Sequence, residues 1–169
     1  MPTDHLNREY LETSGFEGWR AFADLPDHRP PTGNGVYVVW REALSQPEFL
    51  AISGAGQIRP SDRDGHVDEL RRKWIDGTHI LYIGRDRSRT GLRGRLSAYR
   101  RHGLGRGASH SGGRHIWQLA DRAQLLVAWR TTARDEAADV EYQLIEAFKR
   151  AHDGALPFAN RVSGRTPRK

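Results

Sequence analysis

At 169 residues the chain is long enough for one domain with its own core, and the absence of cysteine excludes disulfides, thiolate zinc sites and a cysteine nucleophile. The formal charge is +6, but its distribution says more: Arg85 to His115 holds nine arginines, no lysine and one acidic residue, Asp86, so this stretch carries +8 and the remainder −2. A local positive field of that kind suits a polyanionic partner. Met1 to Tyr10 lacks the apolar run of a signal peptide, and nothing approaches the length of a transmembrane span. No membrane association is expected, and the cysteine-free composition fits a reducing cytoplasm.

In chain order, residues 1–33 are expected to form a helical leader anchored by Leu11, Phe16, Trp19 and Phe22 and closed by Pro30-Pro31. Thr32-Gly33-Asn34-Gly35 is a turn signal. Gly35 to Trp40, rich in Val and aromatics, reads as a strand. Residues 41–78 read as an insertion, with a polar, Gly-containing loop and a helix around Val67, Leu70 and Trp74, spaced three and four apart. His79 to Gly84 reads as a second strand. Thr90 is placed to cap a helix that carries Leu92, Leu96 and Tyr99 on one face. A Gly/Ser/His loop spans Gly103 to Gly113, Ile116 to Leu119 is short and apolar, and Leu125 to Trp129 reads as a third strand.

The clearest element is a helix from Arg134 to His152. Ala137, Glu141, Leu144, Ile145, Phe148 and Ala151 share one side of it. Glu141 is therefore a carboxylate in an apolar stripe, which is expensive unless it is paired. A buried ion pair with one of the many arginines and a bound metal both answer that cost. Gly154 ends the helix, Leu156 to Asn160 returns the chain to the body, and residues 161–169 form a basic tail. The expected class is α/β, with a small three-stranded, mostly antiparallel sheet flanked by helices in residues 34–160.

Gly35-Val36-Tyr37, Tyr82-Ile83-Gly84, Leu92 followed three positions later by Arg95, Glu141 and Pro157-Phe158-Ala159-Asn160 follow one another in an order that resembles the GIY-YIG nuclease superfamily. The first motif has Val in place of Ile; the second matches unchanged. The spacing departs from the simple hairpin usual in the family, because 45 positions separate Tyr37 from Tyr82. The resemblance implies an endonuclease that hydrolyses DNA with Mg²⁺ or Mn²⁺. It implies Tyr37 or Tyr82 as general base, with Tyr37 placed first. Arg95 would bind the scissile phosphate, Glu141 the metal, and Asn160 would position Glu141 or the phosphate. Arg85, Tyr99 and His110 are auxiliary candidates. DNA contacts are expected from Arg87, Arg89, Arg93, Arg100, Arg101, Arg106 and Arg114, in a monomer or a homodimer. A non-catalytic nucleic-acid-binding module and an RNA-directed nuclease are the alternatives.

Elementary chemistry is consistent with those roles. A planar guanidinium binds two phosphate oxygens at once, and a carboxylate-held divalent cation supplies Lewis acidity. A free tyrosine ionises near pH 10, so it needs nearby cations to act as a base. Arg85, Arg93 and Arg95 are expected to provide them. His110 and His115 flank Gly112-Gly113-Arg114 and are candidates for a proton donor or a phosphate contact. Tyr37 and Tyr82 are also ordinary strand residues by propensity. No histidine pair has zinc spacing, and Gly103-Leu104-Gly105-Arg106-Gly107 lacks the lysine and hydroxyl of a phosphate loop.

Overall fold

The computed structural model of the chain describes residues 6–55, 64–86, 88–107 and 112–164. The elements are α1 (Arg8–Thr13), β1 (Glu17–Ala21), β2 (Gly35–Trp40), α2 (Val67–Lys73), β3 (Ile80–Arg85), α3 (Gly91–Gly103), β4 (Leu126–Thr131) and α4 (Ala137–Ala151). Short 3-10 turns lie at Phe22–Asp24, Arg114–Gln118 and Arg122–Gln124. Among the described residues the strands form one sheet in the order β1-β4-β2-β3, with every neighbouring pair antiparallel. No described helix is long and apolar enough to cross a membrane.

The α/β class is as expected, but the sheet has four strands rather than three. The extra strand comes from the leader, which is helical only over Arg8–Thr13. Gly15 and Gly18 take φ of 91° and 100°, which no α-helix accommodates. Beyond them the chain runs as β1 beside β4. A register shift between Gly18 and Arg20 leaves Trp19 as an extra residue at φ 50°. The bulge turns its ring edge-on to Trp40, with centroids 5.4 Å apart.

β2 is paired on both sides and all six of its residues are buried. One face of the sheet packs Val36, Val38, Ile80 and Ile83 against Leu11 of α1 and Leu144, Ile145 and Phe148 of α4. The other packs Tyr37, Val39, Tyr82 and Trp129 against Leu92, Leu96 and Tyr99 of α3 and against Phe22 and Trp117. α4 begins three residues later than expected and keeps the expected apolar stripe. Thr90 stands at the start of α3 without capping it through its side chain, because its hydroxyl bonds Ser88 Oγ at 2.7 Å.

β3 lies at the sheet edge, where unpaired backbone groups need cover. The segment after α4 supplies it. Ala159 N donates to the Leu81 carbonyl at 2.8 Å. The Asn160 amide accepts from Ile83 N and donates to Ile83 O, each at 2.9 Å. Asn160 thus imitates one residue of a neighbouring strand.

The described residues of the 41–78 segment are bolted to the body rather than trailing from it. Arg41, buried, donates to Asp121 at 2.7 Å and to the Ala43 and Ser45 carbonyls at 2.6 and 2.7 Å. Gln118 is fully buried. Its amide accepts from Gly65 N at 2.7 Å and donates to the Gly65 and Leu50 carbonyls at 2.8 and 3.1 Å. Trp74, expected inside the helix, is instead its C-cap with extended backbone. There it joins Phe49 and Phe158, at centroid distances of 6.0 and 5.3 Å.

Replacing Gln118 by Leu leaves three partly buried backbone groups without their partner. The expected loss is roughly 2–4 kcal/mol of unfolding free energy. Urea denaturation measures it; an unmoved midpoint would show that the insertion is held elsewhere.

Candidate active site

Tyr37 stands opposite Gly84 in the β2–β3 ladder and Tyr82 opposite Val39, so the two phenols are diagonal neighbours. Their ring centroids are 5.9 Å apart. Gly84 permits this approach. A Cβ there would lie 2.6 Å from Tyr82 Cε1 and 2.7 Å from Tyr37 Cζ. Arg95, reaching from α3, donates from Nε to the Tyr37 hydroxyl at 3.2 Å. Tyr82 lies near enough to the Tyr37 hydroxyl to disfavour its ionisation. Tyr99 closes the group, with centroids 6.3 Å from Tyr37 and 6.0 Å from Tyr82. Its hydroxyl donates to the Gly113 carbonyl and so holds the backbone at Gly113 against the phenols. A Cβ at Gly112 would meet Tyr82 Oη at 2.5 Å.

This packing overturns the expectation that arginines favour a phenolate. Burial pushes the Tyr37 hydroxyl well above the ordinary tyrosine value, and Tyr82 adds to the effect; Arg95 opposes both without prevailing. Tyr82 is raised as well, again chiefly by burial. Arg93 turns away and donates to the Pro30 carbonyl at 2.8 Å. Arg85 is committed to Glu141: Nε lies 2.8 Å from Oε2, with Glu141 buried and Arg85 largely so. The ion-pair answer to the Glu141 burial is thus the one present.

An open cleft of about 620 Å³ lies at the end of β3. Tyr82, Arg85, Asp86, Arg95, Glu141 and Asn160 line it, with Gly112 and the segment from Arg161 to Gly164 forming its lips. Of the sequence-derived residues, Tyr37 and Tyr99 lie behind the wall, fully buried. Asn160 faces the cleft with its amide engaged by Ile83. Arg87 and His110 lie outside the described residues. Arg89, Arg101 and Arg106 are exposed. Arg93 and Arg100 line a second groove together with Arg29 and Pro30, on a different flank of α3 from Arg95. Arg114 opens the 3-10 turn after the loop. His115 is buried, and its pKa is lowered to about 4 by that burial and by Lys73, Arg114 and Arg161. It is neutral at pH 7 and supplies no cationic phosphate contact.

Asp86 is the cleft residue that sequence reasoning misses. It is buried there, accepting from Asn34 Nδ2 and from Ser88 N and Oγ at 2.9 and 2.7 Å. It shapes the turn from β3 into α3. Only its position after the second tyrosine motif, among arginines, marks it in the sequence.

Among the described residues no cluster of three or more His, Asp or Glu is arranged to hold an ion. Of the two carboxylates lining the cleft, Asp86 is taken up by Asn34 and Ser88, which leaves Glu141 as the donor. That fits a hard cation that keeps most of its waters and completes its shell with substrate phosphate oxygens, as Mg²⁺ does. It does not fit a tightly resident ion.

Comparison of the chain with protein-family models, with curated proteins and with solved structures gave no match.

Two outcomes follow from the packing of the phenols. Gly84→Ala should separate the rings and destabilise the chain by about 1–3 kcal/mol, read from its thermal unfolding. Tyr37, Tyr82 and Tyr99 keep their protons above the unfolded value of 10.0. The folded state therefore binds more protons there, and stability present below pH 10.0 is lost as pH rises through the folded values. The denaturation midpoint should fall between about pH 9 and pH 11, and fall less in Tyr99→Phe. An unchanged pH dependence in that variant would show that Tyr99 does not titrate on unfolding.

Proposed function

We propose that the chain is a metal-dependent endonuclease of the GIY-YIG type that hydrolyses phosphodiester bonds in DNA. One observation carries this reading. Tyr82, Arg95, Glu141 and Asn160, from four separate parts of the chain, line a single cleft, and their order is that of the family motifs. The resemblance supplies the chemistry and the convergence supports it.

Tyr82 rather than Tyr37 is the better base, because it is the phenol that lines the cleft. It takes the proton of the attacking water; the water oxygen bonds to phosphorus and the bond to the leaving oxygen breaks. Tyr37 and Arg95 form a chain behind Tyr82 that stabilises its phenolate. Arg95 Nε is occupied by Tyr37, so contact with the phosphate falls to its terminal nitrogens. Glu141 would hold the cation, exchanging its guanidinium partner for it, and the cation when bound would supply Lewis acidity to the phosphoryl oxygens. Asn160 keeps β3, and with it Tyr82 and Arg85, in register. Because burial raises the Tyr82 pKa, the rate should climb with pH with no plateau below pH 10.0.

The Arg85–Glu141 pair also favours a second reading, a nucleic-acid-binding module in which Glu141 is structural. Labelled single- and double-stranded DNA, incubated with and without Mg²⁺, separates the two. The nuclease cuts only with the metal. Glu141→Gln abolishes cutting while retaining binding, and Tyr82→Phe lowers the rate by about 10²–10⁴. Cleavage by Glu141→Gln at the unsubstituted rate would falsify Glu141 as the metal ligand, and failure of the unsubstituted chain to cut either DNA with Mg²⁺ removes the nuclease reading.

A further inference from the structure

The cleft does not end at Asn160 and Arg161. Both residues also line a neighbouring groove of about 490 Å³, floored by Ile75, Leu156 and Phe158 and walled by Arg72 and Lys73 from the last turn of α2. No described acidic residue lines that groove. In α2, Arg71 is neutralised by Asp68 at 3.2 Å. No ion pair among the described residues involves Arg72, Lys73 or Arg161. Arg72 and Lys73 are exposed. Lys73 and Arg161 each act on the buried His115.

The groove is also fixed relative to the cleft. Trp74, next to Lys73, packs on Phe158 at 5.3 Å, and Phe158 stands two residues before Asn160. Phe49 closes the aromatic trio at 5.6 Å from Phe158. Arg41 lies over the Trp74 ring at 5.5 Å. The insertion therefore presents two unneutralised cations at a set place beside the cleft, across a half-apolar floor. Cationic walls and an apolar floor match a sugar-phosphate backbone with its bases, not an acidic peptide patch or a small anion.

We propose that the nucleic-acid strand leaves the cleft across Asn160 and Arg161 and runs along this groove, where Arg72 and Lys73 bind phosphates flanking the scissile one. The proposal rests on the nuclease reading for the meaning of the cleft. It assigns residues 41–78 a substrate-binding role that the motif order does not contain.

The test is fluorescence anisotropy of a labelled single-stranded oligonucleotide with the full chain, without divalent metal, over a range of salt. The Arg72→Ala/Lys73→Ala chain should bind more weakly at low salt. Its salt slope should fall by roughly 1.4, about 0.7 for each phosphate that is no longer neutralised. Both side chains are exposed, and an unchanged thermal melt confirms the fold. Hydrolysis of bis(p-nitrophenyl) phosphate, too short to reach the groove, should be the same in both chains. An unchanged slope in the variant, with normal binding by the unsubstituted chain, overturns the route and leaves the nuclease reading standing. A slope decrease confined to Arg29→Ala/Arg100→Ala places the strand over the other groove and overturns it too. A slope decrease as expected, in a chain that never cuts, keeps the route and removes the nuclease. Failure of the unsubstituted chain to bind any oligonucleotide removes both.

Discussion

Two phenols stand together at the end of β3 because residue 84 has no side chain. Any Cβ at Gly84 would overlap both rings. With that space open, the Tyr37 and Tyr82 rings stand 5.9 Å apart, Arg95 reaches Tyr37 from α3, and Tyr99 seals the group from the far side. Tyr99 in turn anchors Gly113, which sets the lip of the cleft over Tyr82. The same packing has an electrostatic consequence. A closely packed, water-poor environment disfavours a charged phenolate more than one guanidinium favours it, so the free protein holds these hydroxyls in their neutral form.

Charge in the cleft is arranged by competition. Glu141 sits in an apolar stripe of α4, where an unpaired carboxylate would be costly. Arg85 relieves that cost and is itself taken out of the general cationic field. A buried pair of this kind contributes little net stability, but removing either partner strands the other. For the proposed chemistry the pair is a resting arrangement that a hydrated cation and a phosphate together would replace. Asp86 plays a quieter part: its carboxylate is used up by Asn34 and Ser88, so it sets the turn rather than adding negative charge that is free to bind a metal.

The long separation of the two tyrosine strands does not disturb their pairing. β2 and β3 remain adjacent and antiparallel. Arg41, Gln118 and the Phe49–Trp74–Phe158 cluster fasten the intervening segment to the body. An excursion fixed at several points adds a wall to the molecule, at little penalty in loop closure because closure entropy grows slowly with length.

Much of this is legible in the residue pattern. β2, β3 and α4 are written in strand composition and helical periodicity, and the stripe through Glu141 announces a carboxylate in need of a partner. Asn160 is visible as a motif position but not as a strand mimic, since its partner Ile83 lies 77 positions away. β1 looks like part of a helix because local apolar content does not reveal that Gly18 must lie against the Trp129 ring. The density of arginines around α3 is plain, yet their directions are not. A helix sends Arg95 and Arg93 to different flanks, so one meets a tyrosine and the other the Pro30 carbonyl. Composition and order determined which chemical groups the chain carries and which elements bear them. Tertiary packing alone decided which groups are desolvated, which charge pairs with which, and that Arg72 and Lys73 line a groove sharing Asn160 and Arg161 with the cleft, because those properties belong to contacts between residues that the chain holds far apart.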